Sequence, residues 1–143
     1  MTLDQINEKF RYKTTSSMTV ERENQILLDT LEEFAGAGGW YLDLTNMEFN
    51  ALGNKSYDIY GIPRGSEVGY QQFLYEFVYL EDQALIEQIR LRLIGGESPI
   101  SWNHRIIKQD TGEIRMLSSL VYRVENENNE LTGLRGITMY AQS

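Results

Sequence analysis

No cysteine occurs among the 143 residues. That absence removes disulfides, thiolate nucleophiles and zinc–thiolate sites, and it suits a reducing cytoplasm. Histidine is almost as scarce, with His104 the single copy, and no second metal-type ligand lies near it in sequence, so no metal site is expected. No apolar run approaches the roughly 20 residues that a bilayer-crossing helix needs. The N-terminus lacks the basic-then-apolar layout of a signal peptide, so the expectation is a soluble, cytoplasmic chain without membrane insertion. Positive charge is also in deficit: 13 Lys and Arg stand against 21 Asp and Glu, a net charge of −8. With no basic cluster interleaved with aromatics to offset that average, direct nucleic-acid binding is not expected. The length fits one domain with an ordinary core.

What the chain does contain is clearest between Ile100 and Leu120. Ile100, Trp102, His104 and Ile106 recur at every second position, which places them on one face of a strand with polar residues on the other. Gln109-Asp110-Thr111-Gly112 supplies turn residues, Gly112 tolerating a positive φ at little steric cost. A second strand-like run spans Glu113 to Val124 and a third Leu134 to Tyr140, separated by a polar, charged loop from Glu125 to Glu130. These three form an antiparallel meander.

Upstream, Met1 to about Met18 reads as a polar lead-in. Residues 19–35 read as an amphipathic helix with Val20, Leu27, Leu31 and Phe34 on a thin apolar stripe, suited to packing on its own domain or against a second copy. Gly36-Ala37-Gly38-Gly39 ends it, and because this glycine run precedes a strand instead of opening a helix it is no phosphate cradle. Trp40 to Leu44 and Met47 to Leu52 read as strands with a turn at Asn46. A short helix around Tyr57 to Tyr60 is closed by Gly61, with Pro63 barring its continuation. A second covers about Gly69 to Phe77, and a longer one, Glu81 to Ile94, ends at Gly95-Gly96. Strands split around inserted helices give an α+β domain: a five-stranded antiparallel sheet with helices gathered on one face and an N-terminal helix before it.

Over about Gly36–Gln142 the chain resembles a PAS domain of the common sensor type. Gly39-Trp40-Tyr41-Leu42-Asp43-Leu44 resembles the family's opening Gly-x-Trp-x-Trp-Asp strand, with Leu42 in place of the second tryptophan. Tyr57-Asp58-Ile59-Tyr60-Gly61-Ile62 is similar to its Leu-x-x-Ile-Phe-Gly helix end. Val78-Tyr79-Leu80-Glu81-Asp82-Gln83 stands where the family writes Val-His-Pro-Asp-Asp-Arg, keeping the acidic pair without His or Pro. His104-Arg105-Ile106 with Asp110-Thr111-Gly112-Glu113-Ile114-Arg115-Met116 resembles Tyr-Arg-Ile and Asp-Gly-x-x-Arg-Trp, with one extra turn residue. The usual closing Asp-Ile-Thr is replaced by Met139-Tyr140-Ala141-Gln142, which carries no acid.

The resemblance implies a hollow between sheet and helices that holds a small molecule, and pairing into a homodimer through the N-terminal helix. It implies a non-catalytic sensory module of a bacterial signalling protein whose output, a histidine kinase or a cyclic-dinucleotide enzyme, lies outside this chain. The expectation is accordingly either a fragment of a longer sensor or a free-standing module. The cofactor stays unknown: covalent flavin photochemistry and a coumaroyl chromophore both need a cysteine, and the helix that usually carries the haem ligand, here Glu81–Ile94, has no histidine. Candidates for the lining are Trp40, Leu42, Tyr57, Phe77, Trp102, His104, Met116 and Ser118, with plain core packing as their competing use. His104 either contacts a guest or titrates near neutrality, or it is an ordinary histidine hydrogen-bonded within or at the rim of the sheet. Glu81-Asp82 reads as a helix start and not an acid/base pair. Arg105 and Arg115 read as a surface ladder with Asp43, Glu113 or neighbouring acids, with binding of a carboxylate ligand as the competing use. Two alternatives remain: an unliganded dimerisation scaffold with a filled core, and a small cone-shaped α+β barrel enzyme using His104.

Overall fold

The computed structural model describes residues 36–141, so the lead-in and the stretch 19–35 with Val20, Leu27, Leu31 and Phe34 lie outside the described residues. Strand β1 (Gly38–Asp43) pairs with β2 (Glu48–Leu52), and both β3 (Ile100–Ile107) and β5 (Leu131–Tyr140) pair with β4 (Ile114–Glu125). Because β5 also runs antiparallel beside β1, the five strands among the described residues close into one antiparallel sheet of order β2-β1-β5-β4-β3. The last strand is therefore the central one, a long-range pairing that nothing in local sequence announces.

Turn chemistry fixes the connections. Asn46 Oδ1 accepts the Glu48 N–H at 3.1 Å between β1 and β2. Gly112 takes φ +74° in the β3–β4 turn, as its sequence position predicts. In the β4–β5 loop, Asn126 Oδ1 accepts the N–H groups of Asn128 and Glu130 at 2.9 and 3.0 Å. The third strand of the meander starts at Leu131, three residues before the expected Leu134, because Leu131 still finds a partner in Glu125.

Helix α1 (Asn54–Tyr60) buries Ser56, Ile59 and Tyr60, the i, i+3, i+4 face of a short helix. Gly61 ends it in the left-handed region, φ +70°, its N–H turned back to Tyr57 and Asp58. The helix is held tightly on β1: Ser56 Oγ donates to the Gly39 carbonyl at 2.9 Å. A Cβ on Gly38 would come within 2.8 Å of the Ser56 Cα, so only glycine permits this approach. Helix α2 (Tyr70–Gln72) widens into a π-helical turn over Phe73–Phe77, and a 3₁₀ turn (Leu80–Asp82) leads into α3 (Gln83–Ile94). The expected helices over 69–77 and 81–94 are present, each with one non-α turn. No helix among the described residues is long and apolar enough to cross a membrane.

The 3₁₀ turn anchors the helical layer to the sheet's edge. Asp82 makes no side-chain cap on its own helix; instead its carboxylate takes the Arg105 backbone N–H at 2.7 Å and the guanidinium Nε and Nη2 at 3.0 and 2.7 Å. That guanidinium, which also lies 4.4 Å over the Tyr79 ring, holds the Asp82 carboxyl below the usual carboxylate range, chiefly through its hydrogen bonds. For Arg105 the partner is thus Asp82, and not Asp43 or Glu113. Arg105 pairs across the sheet with Met116, and Arg115 with Ile106, so the two arginines are offset by one residue and sit on opposite faces. Arg115 meets Glu113 at 3.0 Å and lies 3.9 Å over the Tyr140 ring.

Candidate functional site

Alternation in β3 delivers Ile100, Trp102, His104 and Ile106 to the face that meets the helices, where Ile100, His104 and Ile106 are buried. The register Trp102↔Ser119 and His104↔Leu117 then fixes which residues of β4 share that face, and β4–β5 pairing (Ser119↔Thr138) carries it to the central strand. Opposite these strands stand Phe73 and Phe77 of the π turn and Ile86, Ile89 and Leu93 of α3. Between the two layers lies a cavity with walls that are almost wholly apolar. The room for the centre of a water-sized sphere is about 50 Å³, enough for a few waters or one compact molecule of a few heavy atoms.

Aromatic rings frame it in edge-on contacts: Trp40 against Phe49 at 5.6 Å, Phe49 against Phe73 at 5.4 Å, Tyr60 against Phe73 at 5.9 Å. At one side Arg90 lies 5.4 Å over the Tyr70 ring while both hydrogen-bond Glu87, Tyr70 at 3.2 Å and Arg90 at 2.8 Å. Tyr70 and Arg90 also border a polar surface depression beside Asn46, Gln71 and Glu87, so this trio forms the wall between cavity and surface. Burial, with Glu87 beside it, pushes the Tyr70 phenol up.

The polar groups of the interior are mostly engaged with one another. Thr138 Oγ1 accepts Trp40 Nε1–H at 3.0 Å and lies 3.0 Å from Ser119 Oγ. The Tyr60 hydroxyl also hydrogen-bonds Thr138, and burial raises its pKa further than that bond lowers it. His104 differs. Its Nδ1 accepts the indole N–H of Trp102 at 3.0 Å, the two rings stacked 6.0 Å apart. Since an indole N–H can only donate, Nδ1 is bare and the neutral ring carries its proton on Nε2. His104 Nε2 is the buried side-chain atom among the described residues without a hydrogen-bond partner, an omission that costs about 1–3 kcal/mol. Desolvation drops the His104 pKa from 6.5 to about 4, with the Asp82 charge opposing weakly.

Of the expected lining residues, Trp40, Leu42, Phe77, Trp102 and His104 border the cavity. Tyr57, Met116 and Ser118 do not. Tyr57 flanks the buried Ser56–Ile59–Tyr60 face of α1, and Tyr60 takes the position at the wall. Met116, 45% exposed, and Ser118, bonded to Asn103 Oδ1 at 2.7 Å, lie on the far face of β4; Leu117 and Ser119 are the buried residues. A one-residue choice of parity moves both at once. Sequence reading missed Phe49, Phe73, Ser119 and Thr138. Phe49 alternates inward in β2 and was open to discovery; Ser119 and Thr138 are small polar residues with no local signal. Among the described residues no group of His, Asp and Glu side chains is placed to hold a metal.

No family model and no curated protein matches the sequence. Solved structures do resemble it. The N-terminal domain of a diguanylate cyclase with PAS/PAC sensor from Marinobacter aquaeolei superposes with a TM-score of 0.65 at 19% identity, covering 73% of this chain and 94% of that one. The PAS domain of a protein from Colwellia psychrerythraea gives 0.67 at 15% identity, over 86% and 98% of the two chains. A sensory box histidine kinase/response regulator from Burkholderia thailandensis gives 0.65 at 16% identity, over 79% and 82%.

Proposed function

From the PAS fold that these likenesses establish, we propose that the chain is a non-catalytic sensory module of a bacterial signal-transduction protein, acting in the cytoplasm and responding to a small molecule held between sheet and helices. The observation that carries this reading is the apolar cavity with, among the described residues, one unpartnered buried donor, His104 Nε2; a core built only for stability has no use for either. Two of the similar structures belong to a diguanylate cyclase and a histidine kinase, and an output of one of those kinds, fused or in a partner, is the assigned recipient of the signal.

Occupancy of the cavity presses on the wall formed by Tyr70, Glu87 and Arg90 and on α3, and so biases the packing of helices on sheet. Native mass spectrometry of gently purified protein tests this together with Val121→Phe, which places a ring into the cavity from the middle of β4. The wild-type chain is expected to carry a bound small-molecule mass, and the variant to lose it while remaining folded. A wild-type chain that carries nothing and takes up no added guest would leave the scaffold reading in its place.

The module acts as a homodimer through residues 19–35. Support comes from the sheet's far face, where Ile114 and Met116 stand 52% and 45% exposed beside the buried Leu120 and Ile137, an apolar strip on the side away from the cavity. A chain beginning at Gly36 is expected to elute as a monomer and the full chain as a dimer. Identical elution of the two removes the pairing role.

A further inference from the structure

The chemistry of the guest can be read from what the interior already satisfies. Trp40, Tyr60, Ser119 and Thr138 each hold a hydrogen-bond partner within their own set. Arg90, the charged residue of the wall, is committed to Glu87 through both Nε and Nη2, at 3.2 and 2.8 Å. Neither an anion nor a cation would find a free counter-charge among the described residues of this wall, and bringing one in unpaired carries a heavy desolvation cost. Among the described residues the buried side-chain atom with no partner at all is His104 Nε2. Its ring is 2% exposed and lines the cavity. With Nδ1 turned back to Trp102, Nε2 occupies the far end of the side chain, on the face of β3 that points at the helices.

Resting on the sensory reading above, we propose that the cavity selects a compact, uncharged, mainly apolar molecule bearing one hydrogen-bond acceptor, a carbonyl or ether oxygen, which accepts from His104 Nε2–H. Trp102 is the positioning residue: by donating to Nδ1 it fixes the tautomer that makes Nε2 a donor, and by stacking it fixes the ring plane. Selectivity follows from the asymmetry of hydrogen bonding in an apolar interior. A guest of the same shape without the acceptor gains the same apolar contacts and leaves the donor unpaired.

Cyclopentanone and methylenecyclopentane, equal in shape and differing in C=O against C=CH₂, are the probes. Because His104 is the only histidine, the imaging of ring nitrogens in a long-range ¹H–¹⁵N spectrum reads this one residue. The free protein is expected to show a bare Nδ1 and a protonated Nε2. Both probes should move the methyl resonances of Val121 and Ile89, and the ketone alone should move Nε2–H. The ketone's affinity, relative to its partner, should fall about fivefold on His104→Phe. A proton found on Nδ1, or binding of both probes with Nε2 unmoved, overturns the donor assignment and leaves the cavity reading standing. Failure of either probe to move the cavity methyls overturns the cavity reading and this inference with it. The tautomer measurement is made on the wild-type chain, so it decides even where His104→Phe does not fold.

Discussion

Leu117→Ala is expected to lower the free energy of unfolding by about 2–5 kcal/mol, and Met116→Ala, one residue earlier in the same strand, by less than about 1 kcal/mol. Leu117 is fully buried and clusters with Ile59, Tyr60, Phe77 and Ile106. It sits in β4 opposite His104 on one side and Tyr140 on the other. Truncating it removes methyl groups from the junction of α1, the π turn and the sheet, and the two neighbouring strands prevent collapse into the space. Met116 is paired with Arg105 on the opposite face and is 45% exposed, so its truncation returns to water mostly what water already reached. Urea denaturation of both variants, with equal slopes, measures the contrast. Equal losses, or the larger loss at Met116, would mean that β4 is shifted by one residue, and would place Ser118 at the cavity in place of Ser119.

That contrast also marks where sequence stops being legible. In β3 the apolar and aromatic residues alternate cleanly with Ser101, Asn103 and Arg105, because one face meets the core and the other is solvated, and the assignment of Trp102 and His104 follows from period two alone. In β4 both faces carry apolar residues: Leu117 and Val121 toward the cavity, Ile114, Met116 and Leu120 away from it. Alternation is then erased, and parity is set only by pairing with β3. Pairing is a long-range fact, as is the placement of β5 between β1 and β4, which brings Thr138 beside Trp40 across 98 residues.

The helical layer shows the same division. Gly61 and Gly95-Gly96 announce helix ends because backbone geometry is local. Asp82 was legible as a helix-start residue, but its partner, Arg105, is 23 residues away. The acid closes no cap; it ties the start of α3 to an edge strand. Of the eight residues expected near one hollow, Trp40, Leu42, Phe77, Trp102 and His104 border the cavity, and Tyr57, Met116 and Ser118 lie elsewhere. The unpartnered state of Nε2 was beyond reach of sequence, since it depends on which of two ring nitrogens Trp102 finds.

Protonation of that ring has a measurable consequence for the whole fold. The His104 pKa of about 4 lies below its ordinary value of 6.5 because burial disfavours the imidazolium. The unfolded chain therefore binds this proton more tightly than the folded one. The stability tied to a neutral His104 is complete above pH 6.5 and is lost as pH falls from there toward 4. Replacing His104 by Gln supplies a neutral amide of similar reach and removes the titration. Wild-type stability relative to His104→Gln is then expected to fall by about 2 kcal/mol between pH 7 and pH 5, measured by urea melts at each pH. Taking the difference between the two proteins cancels the carboxylates they share. Asp82, the other charge felt by His104, has its own pKa lowered by Arg105 and stays ionised throughout the window. A difference that does not change with pH would place the imidazole in contact with solvent, with an ordinary pKa, and would deny the dry environment in which Nε2–H is assigned its role. The expected slope instead keeps the ring neutral across the physiological range, so His104 serves the cavity as a fixed donor and not as a pH switch.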